Sequence, residues 1–279
     1  MSESMPLRIE PLLEKARRGD DFIVVLTGAG ISAESGIPTF RGADGFWSKG
    51  SSVYRPEELA TYAFFSTSPE LQWPWYLYRR SACLKAEPNA AHQALVRLEE
   101  AYPDRFVLVT QNVDGLHGRA GQSKDRTLEI HGNLGFMRCS KPCNTGVVRV
   151  PSCFDDWPQE RALGDDDSRR LRCPACRAWL RPHVLWFDEC YDEDNYRYET
   201  AVSVAGRADL LIVVGTLGAT SLPDLIGRIA SAKGTPIIDI NPEPNPFATR
   251  AEAAGGAAWR APAGSAVPRL VDALRGTAP

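Results

Sequence analysis

Phe22-Ile-Val-Val-Leu-Thr-Gly-Ala-Gly-Ile-Ser-Ala-Glu-Ser-Gly-Ile-Pro-Thr-Phe-Arg-Gly42 is the stretch of sequence that decides the fold. Its apolar beginning predicts a buried strand, and Gly28 and Gly30 in the turn that follows permit tight backbone geometry and close approach of a ligand. Gly28-x-Gly30-x-x-Ala33 matches a dinucleotide-binding fingerprint, which places a pyrophosphate at a helix N-terminus. Many such turns carry glycines for shape alone, so the fingerprint is weak on its own. Residues 36–41 then end the helix almost as soon as it begins.

Composition limits the classes of protein to consider. The chain has 279 residues, 43% apolar and 24% charged, with a net charge of −3. These values predict a globular protein without an electrostatic footprint for nucleic acid or a membrane surface. No apolar run approaches the roughly 20 residues that a spanning helix needs, and residues 1–6 are neither a secretory signal nor a transit peptide. Seven cysteines, four of them in two close pairs, favour metal binding over disulfides, so we expect a cytoplasmic protein.

Apolar runs alternate with helical stretches along most of the chain. The predicted strands are residues 22–27, 106–111, 127–131, 209–215 and 236–240. Predicted helices include residues 7–18, 88–101, 220–233 and 265–275. This alternation predicts an α/β fold, a Rossmann-like parallel sheet covered by helices on both faces. We assign residues 7–42, 86–132 and 183–279 to this core.

Two segments interrupt the alternation. Residues 43–85 are rich in aromatic residues and proline and are predicted to form a helical insertion. Residues 133–182 carry the paired cysteines and show little strand periodicity. Neither segment is long enough to form a core of comparable size, so we predict that together they form one smaller lobe of a single-domain protein.

The two cysteine pairs predict a structural zinc site. Cys139 and Cys143 are separated from Cys173 and Cys176 by 29 residues, and two short-spaced pairs are how thiolates converge tetrahedrally on zinc. A redox role is disfavoured because no thioredoxin-like βαβ pattern surrounds the second pair. Cys153 is a possible substitute ligand.

Polar residues follow the second and third predicted strands. Gln111, Asn112 and Asp114 come directly after one strand, and His131 ends the next. Because ligands bind at the carboxyl ends of the strands in open α/β sheets, we expect these side chains in the crevice of the glycine turn. The alternatives are a capped helix start and a core histidine. A histidine in that crevice could act as a general base near its reference pKa of ~6.5.

The fourth and fifth predicted strands end in Gly215-Thr216 and in Asn241-Pro242-Glu243. Both put small or polar groups where the adenosine half of a nucleotide would lie. Asn241 or Glu243 could hydrogen-bond a ribose, and a plain turn is the alternative for each.

Taken together, these segments resemble the sirtuins, the NAD-dependent protein-lysine deacylases. The matching stretches are Gly28–Gly42, Gln111–His117, His131-Gly132, the cysteine pairs, Arg181–Phe187, Val214–Thr216 and Ile240-Asn241. They run in the family's order over about residues 20 to 260. The resemblance implies NAD as co-substrate, one structural zinc ion per chain and acylated proteins as substrates.

The resemblance also implies roles for single residues. NAD would be bound by Gly28, Ala29, Gly30, Ser32, Ile37, Phe40, Arg41, Gln111, Asn112, Val113, Asp114, Gly215, Thr216, Asn241, Pro242 and Glu243. Asn112 and Asp114 would hold the nicotinamide end in its cleavage-ready pose. His131 would activate a ribose hydroxyl after the acyl oxygen has attacked C1′. Residues 184–188, with Leu185 and Phe187, would pair with the extended substrate peptide as a strand.

Tyr76 and Arg79 lie three residues apart, on one face of a predicted helix. Arginine presents a planar fork that matches a carboxylate in two parallel hydrogen bonds. With Ala33 and Thr39, this Tyr-x-x-Arg is similar to the class III sirtuins, which remove succinyl, malonyl or glutaryl groups from lysine. The alternative is that Arg79 makes a surface salt bridge and Tyr76 packs with its aromatic neighbours.

The chain departs from the sirtuin pattern in two places. Asp188 stands where most members have glycine, and we expect its side chain to point outward. The segment after Thr216 lacks the usual serine, and Ser221 is the substitute for that ribose contact. The alternative functions are a deacetylase without acidic-acyl preference and an NADase or ADP-ribosyltransferase. A dehydrogenase is disfavoured because residues 45–60 offer no predicted second strand that ends in Asp or Glu, as its fingerprint requires.

Overall fold

A computed structural model describes residues 4–39 and 56–276. Within these ranges there are nine strands: β1 (Ile23–Thr27), β2 (Phe106–Thr110), β3 (Thr127–Glu129), β4 (Gly132–Cys139), β5 (Val147–Arg149), β6 (Leu180–Val184), β7 (Leu210–Val214), β8 (Ile237–Ile240) and β9 (Ala257–Trp259). The α-helices of the same ranges are α1 (Ile9–Arg18), α2 (Pro56–Leu59), α3 (Tyr62–Thr67), α4 (Pro69–Lys85), α5 (Ala90–Ala101), α6 (Leu116–Ala120), α7 (Asp165–Arg170), α8 (Glu193–Tyr196), α9 (Tyr198–Arg207), α10 (Ser221–Lys233), α11 (Pro246–Ala253) and α12 (Ala263–Arg275).

Six parallel strands form the main sheet, in the order β3-β2-β1-β7-β8-β9. The chain builds outward from β1 in one direction and returns to continue outward from β7 in the other. The strand order therefore reverses between β1 and β7. In doubly wound α/β proteins, this reversal opens a crevice at the carboxyl ends of the two strands, and ligands bind there. The predicted Rossmann-like parallel sheet is confirmed.

Apolar residues cover both faces of the sheet. In β1, Ile23 and Val25 pack on the side of α1, α5 and α12, whereas Val24 and Leu26 pack on the side of α9, α10 and α11. All five residues of this strand are buried. The unbroken apolar run in the sequence thus has the cause that was predicted, burial on both sides of a central strand.

The main sheet differs from the prediction in two details. The strand predicted to end at His131 ends at Glu129, and the histidine lies in the turn that leads into β4. The edge strand β9 is not predicted, because three residues in a glycine- and alanine-rich stretch give no apolar run. The glycine turn after β1 leads into a short 3₁₀ helix, Ala29–Ser35, which ends at Gly36 with φ of +81°.

The smaller lobe combines α2, α3 and α4 with an antiparallel sheet of order β5-β4-β6. Much of this sheet lies within residues 133–182, whose sequence shows little strand periodicity, because strands as short as β5 carry no readable period. One apolar cluster joins both segments: Trp73 of α4 and Leu134 of β4 belong to it, and the Trp73 indole donates to the Leu180 carbonyl at 2.8 Å. Among the described helices, none combines the length and the apolar character that a membrane span requires.

Candidate functional site

Two glycine turns touch at the point where the strand order reverses. The Gly30 N–H donates to the Gly215 carbonyl at 2.8 Å, and the Gly28 N–H donates to the carbonyl of Val214 at 3.0 Å. A Cβ atom on Gly30 would lie 2.6 Å from the Cα atom of Gly215. Gly215 has φ of +63°, in the left-handed region that favours glycine. These glycines are therefore required for contact between the two turns, before any ligand is considered.

Side chains that follow β2 reach the first of these turns. Nδ2 of Asn112 donates to the Gly28 carbonyl and to Oγ of Ser32, both at 3.1 Å. The Ser32 hydroxyl donates in turn to Oδ2 of Asp114 at 2.8 Å. Burial raises the pKa of the Asp114 carboxyl, and hydrogen bonds from the Leu116 N–H and the Ser32 hydroxyl oppose the shift. The structure thus brings Ser32, Asn112 and Asp114 into one polar cluster.

His131 lies at the same edge of the sheet, between β3 and β4. Its Nδ1 is 3.0 Å from the carbonyl oxygen of Gln111. Because a carbonyl only accepts, Nδ1 carries the proton and Nε2 is the acceptor. Burial lowers the pKa of His131 to about 4, against the opposing effect of that carbonyl. The imidazole is therefore neutral at neutral pH, the state that a general base requires.

Tyr191 is a site residue that the sequence did not indicate. Its hydroxyl lies 2.8 Å from Nε2 of His131. Tyr191 belongs to the irregular segment between β6 and α8, where no periodic pattern or motif marks it. The contact depends on how this segment folds back over the turn after β3.

The ends of β2, β7 and β8 are connected on the other side of the crevice. Nε2 of Gln111 donates to Oγ1 of Thr216 at 2.7 Å, and Nδ2 of Asn241 is 3.5 Å from the Thr216 carbonyl. The same Asn241 amide donates to the fully buried Asp239 at 2.6 Å. Burial raises the pKa of Asp239 to about 6. Asn241 is thus held in a fixed orientation at the end of β8.

A buried ion pair supports the segment that follows β6. The Arg181 guanidinium is 2% exposed and binds both carboxylate oxygens of Glu189. It also lies over the Trp186 ring, 3.5 Å from the ring centroid. Glu189 accepts the Trp186 N–H at 3.0 Å. Arg181 belongs to the stretch Arg181–Phe187 that resembles the sirtuins and Glu189 lies just beyond it, and sequence analysis assigned neither residue a role.

This segment was predicted to pair with a substrate peptide through residues 184–188. The N–H groups of Leu185 and Phe187 donate to the carbonyls of His131 and Ala60, each at 3.0 Å. A peptide that pairs here must therefore use carbonyl oxygens of this edge or replace such a bond. The Phe187 side chain is half exposed, as a contact residue for a peptide would be. Asp188 is exposed and accepts the N–H groups at the start of α3, so its charge is turned outward as expected.

Tyr76 and Arg79 are both buried on α4, so the alternative, a surface salt bridge of Arg79, is excluded. The Tyr76 hydroxyl accepts from the Trp186 indole at 2.7 Å, which connects α4 to the segment that follows β6. Arg79 is 8% exposed as a residue, and its guanidinium carbon lies 4.5 Å from the centroid of the Trp75 ring. Burial lowers the pKa of Arg79, and the neighbouring Tyr76 and Cys83 oppose that shift.

The four predicted zinc ligands converge. The Sγ atoms of Cys139, Cys143, Cys173 and Cys176 all lie within 4.8 Å of one another. Ligands at the usual zinc–sulfur distance would be about 3.8 Å apart in a tetrahedron. The Thr145 hydroxyl is 2.9 Å from Sγ of Cys173 and favours its thiolate. Cys153 is exposed and does not belong to this group, so the four-cysteine set fits zinc without it.

The remaining predicted residues lie in different surroundings. Ile37 and Val113 pack against the apolar cluster of the smaller lobe. Pro242 and Glu243 are exposed just beyond β8, and Ser221 is exposed at the start of α10. The predicted cover of the nicotinamide ribose, Phe40 and Arg41, lies outside the described residues.

Fold and site together define a dinucleotide-binding α/β protein with a smaller, cysteine-bearing lobe. The profile of the Sir2 family matches residues 28–221. The chain therefore belongs to the Sir2 family.

Relatives and solved structures agree with this membership. An "NAD-dependent protein deacylase" of Leptospira interrogans is 42% identical over 81% of this chain and 84% of its own length. An "NAD-dependent protein deacylase" of Aeropyrum pernix is 41% identical over 86% of this chain and 89% of its own length. The crystal structure of a Sir2 homologue in complex with NAD matches at 37% identity with a TM-score of 0.78, covering 96% of this chain and 94% of that one. A Sir2 mutant bound to a p53 peptide and NAD matches at 25% identity, with a TM-score of 0.73 over 95% and 97%.

Proposed function

We propose that this protein is an NAD-dependent protein-lysine deacylase with a preference for acidic acyl groups. The observation that carries the deacylase activity is a neutral His131 bonded to Gln111, the residue that precedes Asn112 of the Ser32, Asn112 and Asp114 cluster. The deacylase relatives and the NAD-bound homologue support the same activity.

In this reaction NAD supplies the ribose carbon that receives the acyl oxygen, and nicotinamide is the leaving group. Asn112 and Asp114 would hold the nicotinamide end, with Ser32 fixing both side chains. Nε2 of His131 would accept the proton of a ribose hydroxyl, a contribution of typically ~10²–10⁴-fold to the rate. Gln111, Thr216 and Asn241 would bind the ribose and adenosine side. The acylated peptide would lie along residues 184–188 as an added strand.

The preference for an acidic acyl group rests on Arg79. Arg79 is mostly buried against the Trp75 ring, and a charge-assisted hydrogen bond to a carboxylate is stronger in such surroundings than in water. Tyr76 lies on the same face of α4 and connects through Trp186 to the segment beside His131. A succinyl or malonyl carboxylate that enters along the lysine would therefore meet a fixed, bidentate partner.

The test compares succinyl-lysine and acetyl-lysine versions of one peptide. We expect kcat/KM with NAD to favour the succinyl peptide by roughly 10–100-fold, the ratio that one charge-assisted pair of ~1.5–3 kcal/mol supplies. Arg79→Met should remove that preference and leave acetyl turnover in place. Equal or acetyl-favouring values for the unmodified enzyme would contradict the acidic-acyl preference.

Arg80→Met is the matched control. Arg80 is also 8% exposed on α4, but its guanidinium pairs with Asp155 at 2.7 Å. Its loss should lower stability without changing the ratio of the two acyl substrates. NAD consumption that does not depend on the peptide would favour the NADase alternative.

A further inference from the structure

We propose that the Tyr191 hydroxyl is a two-position hydrogen-bond switch on His131. In the structure it donates to Nε2, and it turns to Oγ1 of Thr220 when a ribose hydroxyl takes that place. Tyr191 is thus a positioning residue, and the inference rests on the proposed role of His131 as the base.

The direction of each hydrogen bond that His131 makes is fixed. The Gln111 carbonyl requires the proton of His131 on Nδ1, so Nε2 presents a lone pair. The hydroxyl of Tyr191, 2.8 Å away, must therefore be the donor. The phenol oxygen can still accept a hydrogen bond. The Leu222 N–H in the first turn of α10 is placed to donate it and lowers the pKa of Tyr191.

The hydroxyl occupies the atom that the reaction needs. An imidazole Nε2 has one in-plane lone pair, and the same lone pair would accept the ribose proton. The Tyr191 hydroxyl must therefore leave Nε2 before His131 can act. His131 stays in place meanwhile, because its other nitrogen remains bonded to Gln111.

Thr220 provides the second position. Its side chain lies beside the Tyr191 phenol and opposes the effect of burial, which raises the pKa of Tyr191 to about 12. Oγ1 of Thr220 is buried, and among the described residues it has no hydrogen-bond partner at normal distance. Buried hydroxyls usually have a hydrogen-bond partner. Oγ1 of Thr220 is therefore a suitable acceptor for the Tyr191 hydroxyl once that hydroxyl leaves His131.

Steady-state kinetics on three variants test the switch. In Tyr191→Phe the base is no longer occupied, so kcat/KM for NAD at pH 8 should rise about 2–10-fold, the effect of one neutral hydrogen bond. Thr220→Val keeps the shape but removes the acceptor, so kcat/KM should fall by a similar factor. When Tyr191→Phe is already present, adding Thr220→Val should not change kcat/KM further, because the Tyr191 hydroxyl that Thr220 would accept is absent.

The pH dependence gives a readout that a merely structural role would not move. Loss of the donor to the neutral imidazole should shift the acid limb of kcat/KM for NAD upward by about one pH unit in Tyr191→Phe. Burial and the Gln111 carbonyl are the causes that shift the pKa of His131, and no charged group of the described residues contributes. Tyr198→Phe is the control, because that ring packs on Tyr191 with centroids 6.1 Å apart and should leave the profile unchanged.

NMR titration of the His131 ring tests the switch separately from turnover. Tyr191→Phe should raise the pKa of that ring whether or not the protein deacylates lysine. Two results would overturn the switch. One is an unchanged pKa of His131 in Tyr191→Phe, and the other is an effect of Thr220→Val on kcat/KM that is the same with and without the Tyr191 hydroxyl. Loss of deacylation in His131→Ala would support the role of His131 as the general base. Absence of NAD-dependent deacylation in the unmodified protein, beside a shifted pKa, would refute the proposed function alone.

Discussion

At the scale of single residues, the glycines of the first turn have a purpose that the fingerprint alone does not reveal. Gly30 and Gly215 come from distant parts of the chain, and their backbones are in direct contact. The fingerprint correctly indicates a dinucleotide site, because the crevice opens where these turns meet. The partner turn could not be predicted, since nothing local to Gly30 shows which strand will lie beside β1.

Replacing Gly30 with alanine should therefore be harmful even without NAD. The new Cβ atom would lie 2.6 Å from a backbone carbon and 2.9 Å from the carbonyl oxygen of Gly215, and neither can turn aside. We expect a loss of about 1–3 kcal/mol in unfolding free energy, measured by urea denaturation, with weaker NAD binding. Gly206→Ala is the control: this helical glycine has open space around it, and alanine there should be neutral or slightly stabilising.

His131 and Tyr191 show how far a residue-level reading extends. The position of His131 after a predicted strand placed it correctly at the crevice, although the strand ends two residues earlier. Its tautomer depends on the backbone of Gln111 and its resting partner on Tyr191. Both are tertiary contacts, so no spacing in the sequence carries them.

At the scale of elements, the two cysteine pairs lie on different types of secondary structure. Cys139 ends β4, whereas Cys173 begins a tight turn closed by its own N–H, which donates to the Ala178 carbonyl at 2.7 Å. The spacing of the pairs predicted the ligand set. It did not predict the antiparallel sheet that carries it, because β5 and β6 have only three and five residues and leave little pattern.

Cys173→Ser should abolish zinc binding and loosen the smaller lobe. We expect metal analysis of the purified protein to find one zinc ion per chain, and none in the variant, because three thiolates no longer close a tetrahedral site. Cys153→Ser is the matched control, since Cys153 is exposed and lies outside the cluster. Zinc lost from the Cys153 variant, or retained in the Cys173 variant, would refute this ligand set.

At the scale of the whole molecule, all four histidines are held in the neutral form. Burial lowers the pKa of His92, His131 and His183 to about 4, and that of His117 well below its ordinary value. An unfolded imidazole binds a proton at about pH 6.5. As the pH falls from 6.5 towards 4 the unfolded state takes up protons first, so each histidine destabilises the fold over this range. Asp239 acts in the opposite direction, because its pKa is raised to about 6.

His92→Gln isolates one of these contributions. Glutamine in this position can keep the bond that His92 makes to the Asn89 N–H at the start of α5. Between pH 7 and pH 5 the unmodified protein should lose about 1–2 kcal/mol more unfolding free energy than the variant. Urea titrations at pH 7, 6 and 5 measure the difference. Parallel losses in both proteins would show that His92 is not buried in the neutral form.

The shared core of the smaller lobe has a consequence for synthesis of the chain on the ribosome. The Trp73 indole finds its acceptor, the Leu180 carbonyl, 107 residues later in the sequence. At roughly 5–20 residues per second, α4 leaves the ribosome about 5–20 s before β6 can cover it. During that interval the aromatic face of α4 is open to chaperones, and a slow-translating stretch before residue 180 would lengthen the exposure.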